Sequence, residues 1–187
     1  LSGAETQIGR GEPVQDTARV LSRYCDGIMI RTFEQSLVED LAKFGSIPVI
    51  NGLTDFSHPC QVLADLMTVR EKFSRLEGRK LCYIGDGNNM ANSLIVGALK
   101  CGMDVAVACP KGYEPDSRVL EFANGVRDAK FILTENKLEA AEKADVVVTD
   151  VWASMGQEGE AAQRRQAFEG IYQINDDLMK VAKDDAI

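Results

Sequence analysis

The chain holds a single histidine, His58, within the stretch SHPCQVLADLM (57–67), where a polar run gives way to an apolar, helix-patterned one. Ser57 can cap a helix there and Pro59 suits its first turn. The positive end of a helix dipole favours the neutral form of a histidine at the helix start. A neutral imidazole donates one hydrogen bond to a carbonyl oxygen without carrying charge, so His58 could polarise a carbonyl through its transition state. Gln61 adds an amide within the same turn. Together they form a helix mouth able to hold an anionic substrate. The alternative is an ordinary helix start with a structural histidine.

Two other stretches carry reactive residue types. GDGNNMANS (85–93) follows an apolar run, but Met90 stands where a dinucleotide loop needs its third glycine. Its two asparagines offer amides that accept from an ammonium or donate to a carboxylate. Asn88 fits helix capping best, while Asn89 leaves capping and ligand contact equally open. TDVWASMGQE (149–158) sets Asp150, Trp152, Ser154 and Met155 directly after another apolar run. Asp150 could pair with an amine, and the glycine suits a loop that folds over a ligand. A solvent-exposed loop with a packing tryptophan is at least as good a reading. Arg164-Arg165-Gln166 fits a solvated helix face.

These residues are spaced by elements whose alternation predicts an α/β fold with a largely parallel sheet. Helical periodicity marks DTARVLSRY, with Ala18, Val20 and Leu21 on one face and Cys25 a turn beyond. A second helix, SLVEDLAKF, carries Leu37, Val38, Leu41 and Phe44 and stops at Gly45; a third carries Val62, Leu63, Leu66, Met67 and Phe73. GIMIR (27–31) is expected to be a buried strand and IPVIN (47–51) the next. LCYIG, DVAVACP, KFILT (130–134) and ADVVVTD (144–150) are strands of a second block, half of a doubly wound, Rossmann-like sheet. The polar SRLEGRK (74–80) is the expected boundary, giving domains over residues 1–73 and 80–187, both incomplete. Ligands of such sheets sit at the carboxyl ends of the strands. Arg31, Asn51, Asn88, Asn89 and Asp150 are all placed at such ends.

The 187 residues are 45% apolar and 27% charged, ordinary for a soluble globular chain, with no apolar run of membrane-spanning length and no charged-then-apolar opening segment resembling a signal peptide. A net charge of −8 without a basic patch argues against a nucleic-acid surface. Five cysteines, odd in number and without a C-x-x-C pair, point to reduced thiols in a cytosolic compartment.

His58-Pro59-Cys60-Gln61 with VLADLMT, the GDGNNMANS loop and TDVWASMGQE resemble the carbamoyltransferases, specifically those that use ornithine. DTARVLSRYCDGIMIR and GSIPVINGLTDFSHP are similar to the family's first domain, so the likeness runs over essentially the whole chain. The D-V-W-x-S-M-G loop is its most discriminating part, absent from the aspartate-using relatives. The resemblance implies that Arg31, His58 and Gln61 bind carbamoyl phosphate and that Gln7 reaches a neighbouring subunit's site. It implies that Asn89, Asp150, Ser154 and Met155 hold L-ornithine. The implied reaction is attack of the ornithine side-chain amine on the carbamoyl carbon, giving citrulline and phosphate. Arg31 would neutralise the phosphate, His58 stabilise the oxyanion, and proximity supply much of the rate. No metal or organic cofactor is implied, and the assembly implied is a homotrimer, with a cytoplasmic or organellar location.

The family's S-T-R-T-R block upstream and H-C-L-P block downstream are both absent from this sequence. The expectation is a central portion of such an enzyme, weak or inactive alone. Three other readings stay open: a sibling enzyme with another amine acceptor, a non-catalytic carbamoyltransferase-like binding subunit, and a nucleotide-binding module, the last weakened by Met90.

Overall fold

A computed structural model of the protein describes residues 10–153 and 157–187. Gln7, Ser154 and Met155, three of the expected site residues, lie outside the described residues. The chain divides into two compact units, Leu1–Cys60 and Gln61–Ile187.

The first unit runs α1 (Val14–Leu21), β1 (Ile28–Arg31), α2 (Gln35–Phe44) and β2 (Val49–Leu53). Parallel strands need a crossover, and α2 supplies it between β1 and β2. Ile28 lies opposite Val49 and Met29 opposite Ile50; an irregularity after Ile30 then sets Arg31 against Leu53. Ala18, Val38, Leu41 and Leu53 form the small core. The strand expected to be buried is not: Met29 is 68% exposed and its neighbour Ile50 53%. Successive strand residues point to opposite faces, and among the described residues of this unit only one face is packed. Val20 likewise turns outward from the α1 face that buries Ala18. Asn51 is mid-strand instead of terminal, because β2 continues to Leu53.

The helix α3 (Pro59–Phe73) begins directly after His58. Its buried stripe is Val62, Leu66 and Val69, at i, i+4 and i+7. Leu63 and Met67, expected on that stripe, lie one residue out of phase with it and are exposed. Gly97 lets the next helix approach closely: a Cβ there would meet Val62 Cγ1 at 2.4 Å.

The second unit continues with β3 (Lys80–Ile84), α4 (Asn89–Lys100), β4 (Asp104–Ala108), α5 (Ser117–Gly125), β5 (Phe131–Thr134), α6 (Lys137–Ala141) and β6 (Val146–Val148). A 3-10 turn at Glu158–Glu160 leads into α7 (Ala161–Phe168), and α8 (Asp176–Met179) follows. All four strands are parallel in the order β5-β4-β3-β6. Cys82, Ile84, Ala106 and Ala108 pack on Ala140, Ala141, Ala144, Phe168, Tyr172 and Leu178. The alternate residues Leu81, Tyr83, Val105 and Val107 are equally buried on the opposite face, so the expected half of a doubly wound sheet is present. The chain proceeds outward through β4 and β5 and returns to the other flank of β3. The order therefore reverses between β3 and β6, where open α/β sheets hold ligands.

The base of this reversal is tied by charge. Asp145, 0% exposed, accepts from Arg79 Nη1 at 2.7 Å, Lys183 Nζ at 2.8 Å and the Lys80 amide at 2.8 Å. Burial pushes its carboxyl up, but the bonds from Lys183, the Lys80 amide and Arg79 outweigh this and hold it below the usual carboxylate range.

Candidate functional site

In the first unit the candidates gather where β1 and β2 end. Arg31 closes β1 with its side chain exposed. The connection from β2 to α3 is knitted by half-buried hydrogen bonds around Thr54. The Thr54 amide donates to Ser57 O at 2.8 Å, and Thr54 Oγ1 accepts from the Ser57 amide at 3.1 Å. That hydroxyl donates to Gln35 Oε1 at 2.7 Å, and Asn51 Nδ2 donates to Ser57 Oγ at 3.0 Å. Ser57 thus serves the turn that places His58, half-buried, at the N-terminal mouth of α3. The Cys60 thiol donates to Asn51 O at 3.3 Å, tying the first turn of α3 back to β2.

In the second unit Gln61 is exposed, its Nε2 donating to Asp65 Oδ1 at 2.9 Å one turn along α3. The β3–α4 turn and the residues after β6 meet across the reversal point. Asn88 caps α4, its Oδ1 accepting from the Met90 and Ala91 amides at 3.0 and 3.2 Å. Its Nδ2 simultaneously donates to Asp150 Oδ2 at 3.0 Å. The capping role expected for Asn88 is present, and orienting Asp150 is added to it. Asn89 is the first residue of α4, next to Asn88 in sequence and half-buried. Thr149 Oγ1 donates to Ile84 O at 2.6 Å, which fixes the residue before Asp150 to the end of β3. Beneath them, Tyr83 is fully buried. Burial first, then the charges of Asp150 and Asp86, push its phenol well above the usual tyrosine range, so it remains a neutral group.

The turn itself is tightly seated. A Cβ at Gly87 would lie 2.3 Å from Glu114 C and Pro115 N, so only glycine passes there. Gly87 in turn donates its amide to Tyr113 O at 2.8 Å. Asp86 is buried and bonded to Arg164 Nη1 at 2.7 Å. The reading of residues 164–166 as a solvated face is corrected here: Arg165 is exposed, but Arg164 is buried. Arg164 stands four residues before Phe168, which is fully buried, and i, i+4 residues share a helix face. That spacing was the available signal. No group of three or more His, Cys, Asp or Glu side chains suited to a metal ion occurs among the described residues. No helix among them is long and apolar enough to cross a membrane.

An acidic group oriented by a cap asparagine at a sheet reversal can hold the ammonium of an amino acid, and a histidine at a helix mouth can serve an anion or carbonyl. Comparison with known proteins identifies related chains over the whole sequence. Residues 1–71 match the family model described as the carbamoyl-P binding domain of aspartate/ornithine carbamoyltransferase, and residues 77–187 its Asp/Orn binding domain. The ornithine carbamoyltransferase of Geobacter metallireducens is 54% identical over 187 residues, covering 100% of this chain and 61% of that protein. That of Caldicellulosiruptor saccharolyticus is 55% identical over 190 residues, with the same shares. Among solved structures, ornithine carbamoyltransferase from Pyrococcus furiosus superposes with a TM-score of 0.92 at 52% identity, covering 100% of this chain and 60% of that one. The chain thus spans about 60% of the length of the relatives it matches. With two successive domain models, end-to-end identity above half and a common fold, the chain belongs to the aspartate/ornithine carbamoyltransferase family.

Proposed function

We propose that this chain supplies most of the site of an enzyme that transfers the carbamoyl group of carbamoyl phosphate to the side-chain amine of L-ornithine. The observation that carries the proposal is the similarity of the whole chain, at 54% identity, to proteins named for that activity. The unprotonated amine of ornithine attacks the carbamoyl carbon. The C–O bond to phosphate breaks, the amine loses a proton, and citrulline and phosphate result.

In this reading Arg31 neutralises the phosphate, His58 donates to the carbamoyl oxygen as negative charge develops on it, and Gln61 orients the carbamoyl amide. Asn89 and Asp150 hold the amino-acid end of ornithine, joined by Ser154 and Met155. The Asn88–Asp150 bond supports this assignment, because a carboxylate held in one orientation loses less freedom on pairing with an ammonium. Gln7 acts in a neighbouring subunit's site, so the working assembly is a homotrimer, placed in the cytoplasm. The division near residues 74–80 separates the carbamoyl-phosphate part from the ornithine part.

The test is citrulline formation from carbamoyl phosphate and L-ornithine, run on this chain and on its full reading frame. Ornithine-dependent turnover by the full frame, with little from the 187 residues alone, is expected. Turnover with L-aspartate or another amine, but not with L-ornithine, would transfer the assignment to a sibling enzyme. Ligand binding without turnover by the full frame would make it a binding subunit.

A further inference from the structure

Arg164 makes four contacts that the proposed chemistry does not use. Its Nη1 donates to Asp86 Oδ2 at 2.7 Å and to Trp152 O at 3.3 Å. Its Nε donates to Glu160 Oε2 at 3.2 Å, and its guanidinium lies 5.2 Å from the centre of the Tyr113 ring. One planar fork therefore touches three segments: the β3–α4 turn, the main chain two residues after Asp150, and the Tyr113 loop that accepts from Gly87.

The pair is a poor stabiliser. Taking two charges out of water carries a desolvation cost that their mutual attraction must first repay. Burial raises the Asp86 carboxyl above its ordinary range even though Arg164 beside it pulls the other way. An apolar pair would pack there as well, since Trp152 already stacks on Phe168 at 6.1 Å and Tyr113 meets the same ring edge-on at 5.0 Å. What an apolar pair lacks is direction.

We infer that Arg164 is a positioning residue, a latch that holds the Trp152 main chain to Asp86 and so fixes Asp150 in register with the Asn88–Asn89 end of α4. Its consequence for ornithine rests on the function proposed above; the latch itself does not. The arrangement holds two constraints on Asp150 at once. Asn88 orients the carboxylate, and Arg164 anchors the chain that carries it. A lysine at 164 keeps the charge beside Asp86, but its freely rotating ammonium lacks the planar guanidinium that fixes the Nη1 N–H directions toward Asp86 and Trp152 O while Nε holds Glu160.

Trp152 is the only tryptophan in the chain, so its fluorescence reports on the latched residue directly. Acrylamide quenching and thermal unfolding are measured on the 187-residue chain as wild type, Arg164→Lys and Arg164→Met, with L-ornithine titrated into each. For Arg164→Lys the expected result is a quenching constant at least twofold higher, a Tm within a few degrees of wild type, and tenfold or more weaker L-ornithine binding. Arg164→Met is expected to loosen Trp152 at least as much; should it not fold, Arg164→Lys decides alone. Unchanged quenching in folded Arg164→Lys overturns the latch, as does a Tm fall large enough to account for the looser tryptophan. If L-ornithine binds neither the 187-residue wild type nor its full reading frame while Arg164→Lys still frees Trp152, the latch stands and the functional reading falls.

Discussion

The two sheets of this chain position reactive groups by different means. In the second unit β3 and β4 are buried on both faces, and polar residues at the sheet ends are held by charge pairs that reach far along the sequence. Asp145 binds Arg79 and Lys183, and Asp86 binds Arg164, 78 residues away. Among the described residues of the first unit, β1 alternates half-buried with exposed positions and β2 buries fully only Leu53, and the turn before His58 is held by neutral hydrogen bonds among Gln35, Asn51, Thr54 and Ser57. A sheet covered on both faces presents a fixed edge, onto which charged groups can be locked. A sheet packed on one face has a thin core, and short-range hydrogen bonding does the placing.

The difference is open to attack at several points. The largest effect is expected at Asp145. Asp145→Ala leaves Arg79 and Lys183 without their shared partner and removes about 3–5 kcal/mol from the second unit, read by urea denaturation with the first unit's signal unaltered. Leu94→Ala, in the fully buried face of α4, should cost about 2–5 kcal/mol by the same measurement, whereas Met29→Ala on the exposed face of β1 should cost under about 0.5 kcal/mol. Equal losses from those two would erase the contrast between the sheets.

On the functional side, Asp150→Asn keeps the shape and removes the charge. L-ornithine binding should weaken about tenfold to a hundredfold, matching the roughly 1.5–3 kcal/mol of a charged hydrogen bond, with the Tm little changed. A pH scan sharpens the comparison further. Asp145 has a folded pKa below its unfolded value, so its contribution is complete above the unfolded pKa of about 3.9 and is lost as pH falls through the folded one. Acid should therefore reduce the second unit's stability at this link, and Asp145→Asn should flatten that dependence.

The smallest effect concerns reactivity alone. Burial pushes the Cys82 and Cys109 thiols up to about 12, against a small lowering by Lys80 at Cys82 and further raising by Glu114, Asp86 and Glu135 at Cys109. Exposed Cys25 and Cys60 should react with a disulfide reagent at pH 8 in the folded chain, and Cys82 and Cys109 only after unfolding.

Much of this was legible in the residues themselves. The alternation of strands and helices, the stop at Gly45, the cap at Asn88 and the mouth of α3 after His58 follow from hydrophobic period and turn chemistry, which are local. The faces of isolated segments were less so. Val20, Leu63 and Met67 fit helical stripes yet point outward, and Met29 sits in an apolar strand yet faces solvent. A segment's pattern shows which side chains are apolar, not which face receives a neighbour.

What the sequence by itself determined was the order of the elements, the parallel α/β class and the residues at His58, Asn89 and Asp150 that resemble a carbamoyltransferase site. What only the tertiary structure decided was the pairing of polar groups across the second unit: Asp145 with Arg79 and Lys183, Asp86 with Arg164, Asn88 with Asp150. Hydrophobic periodicity repeats every few residues and survives in any short window. The partner of a buried charge is chosen by the sheet order, which brings β3 and β6 side by side across more than 60 residues of chain, and no local window contains both.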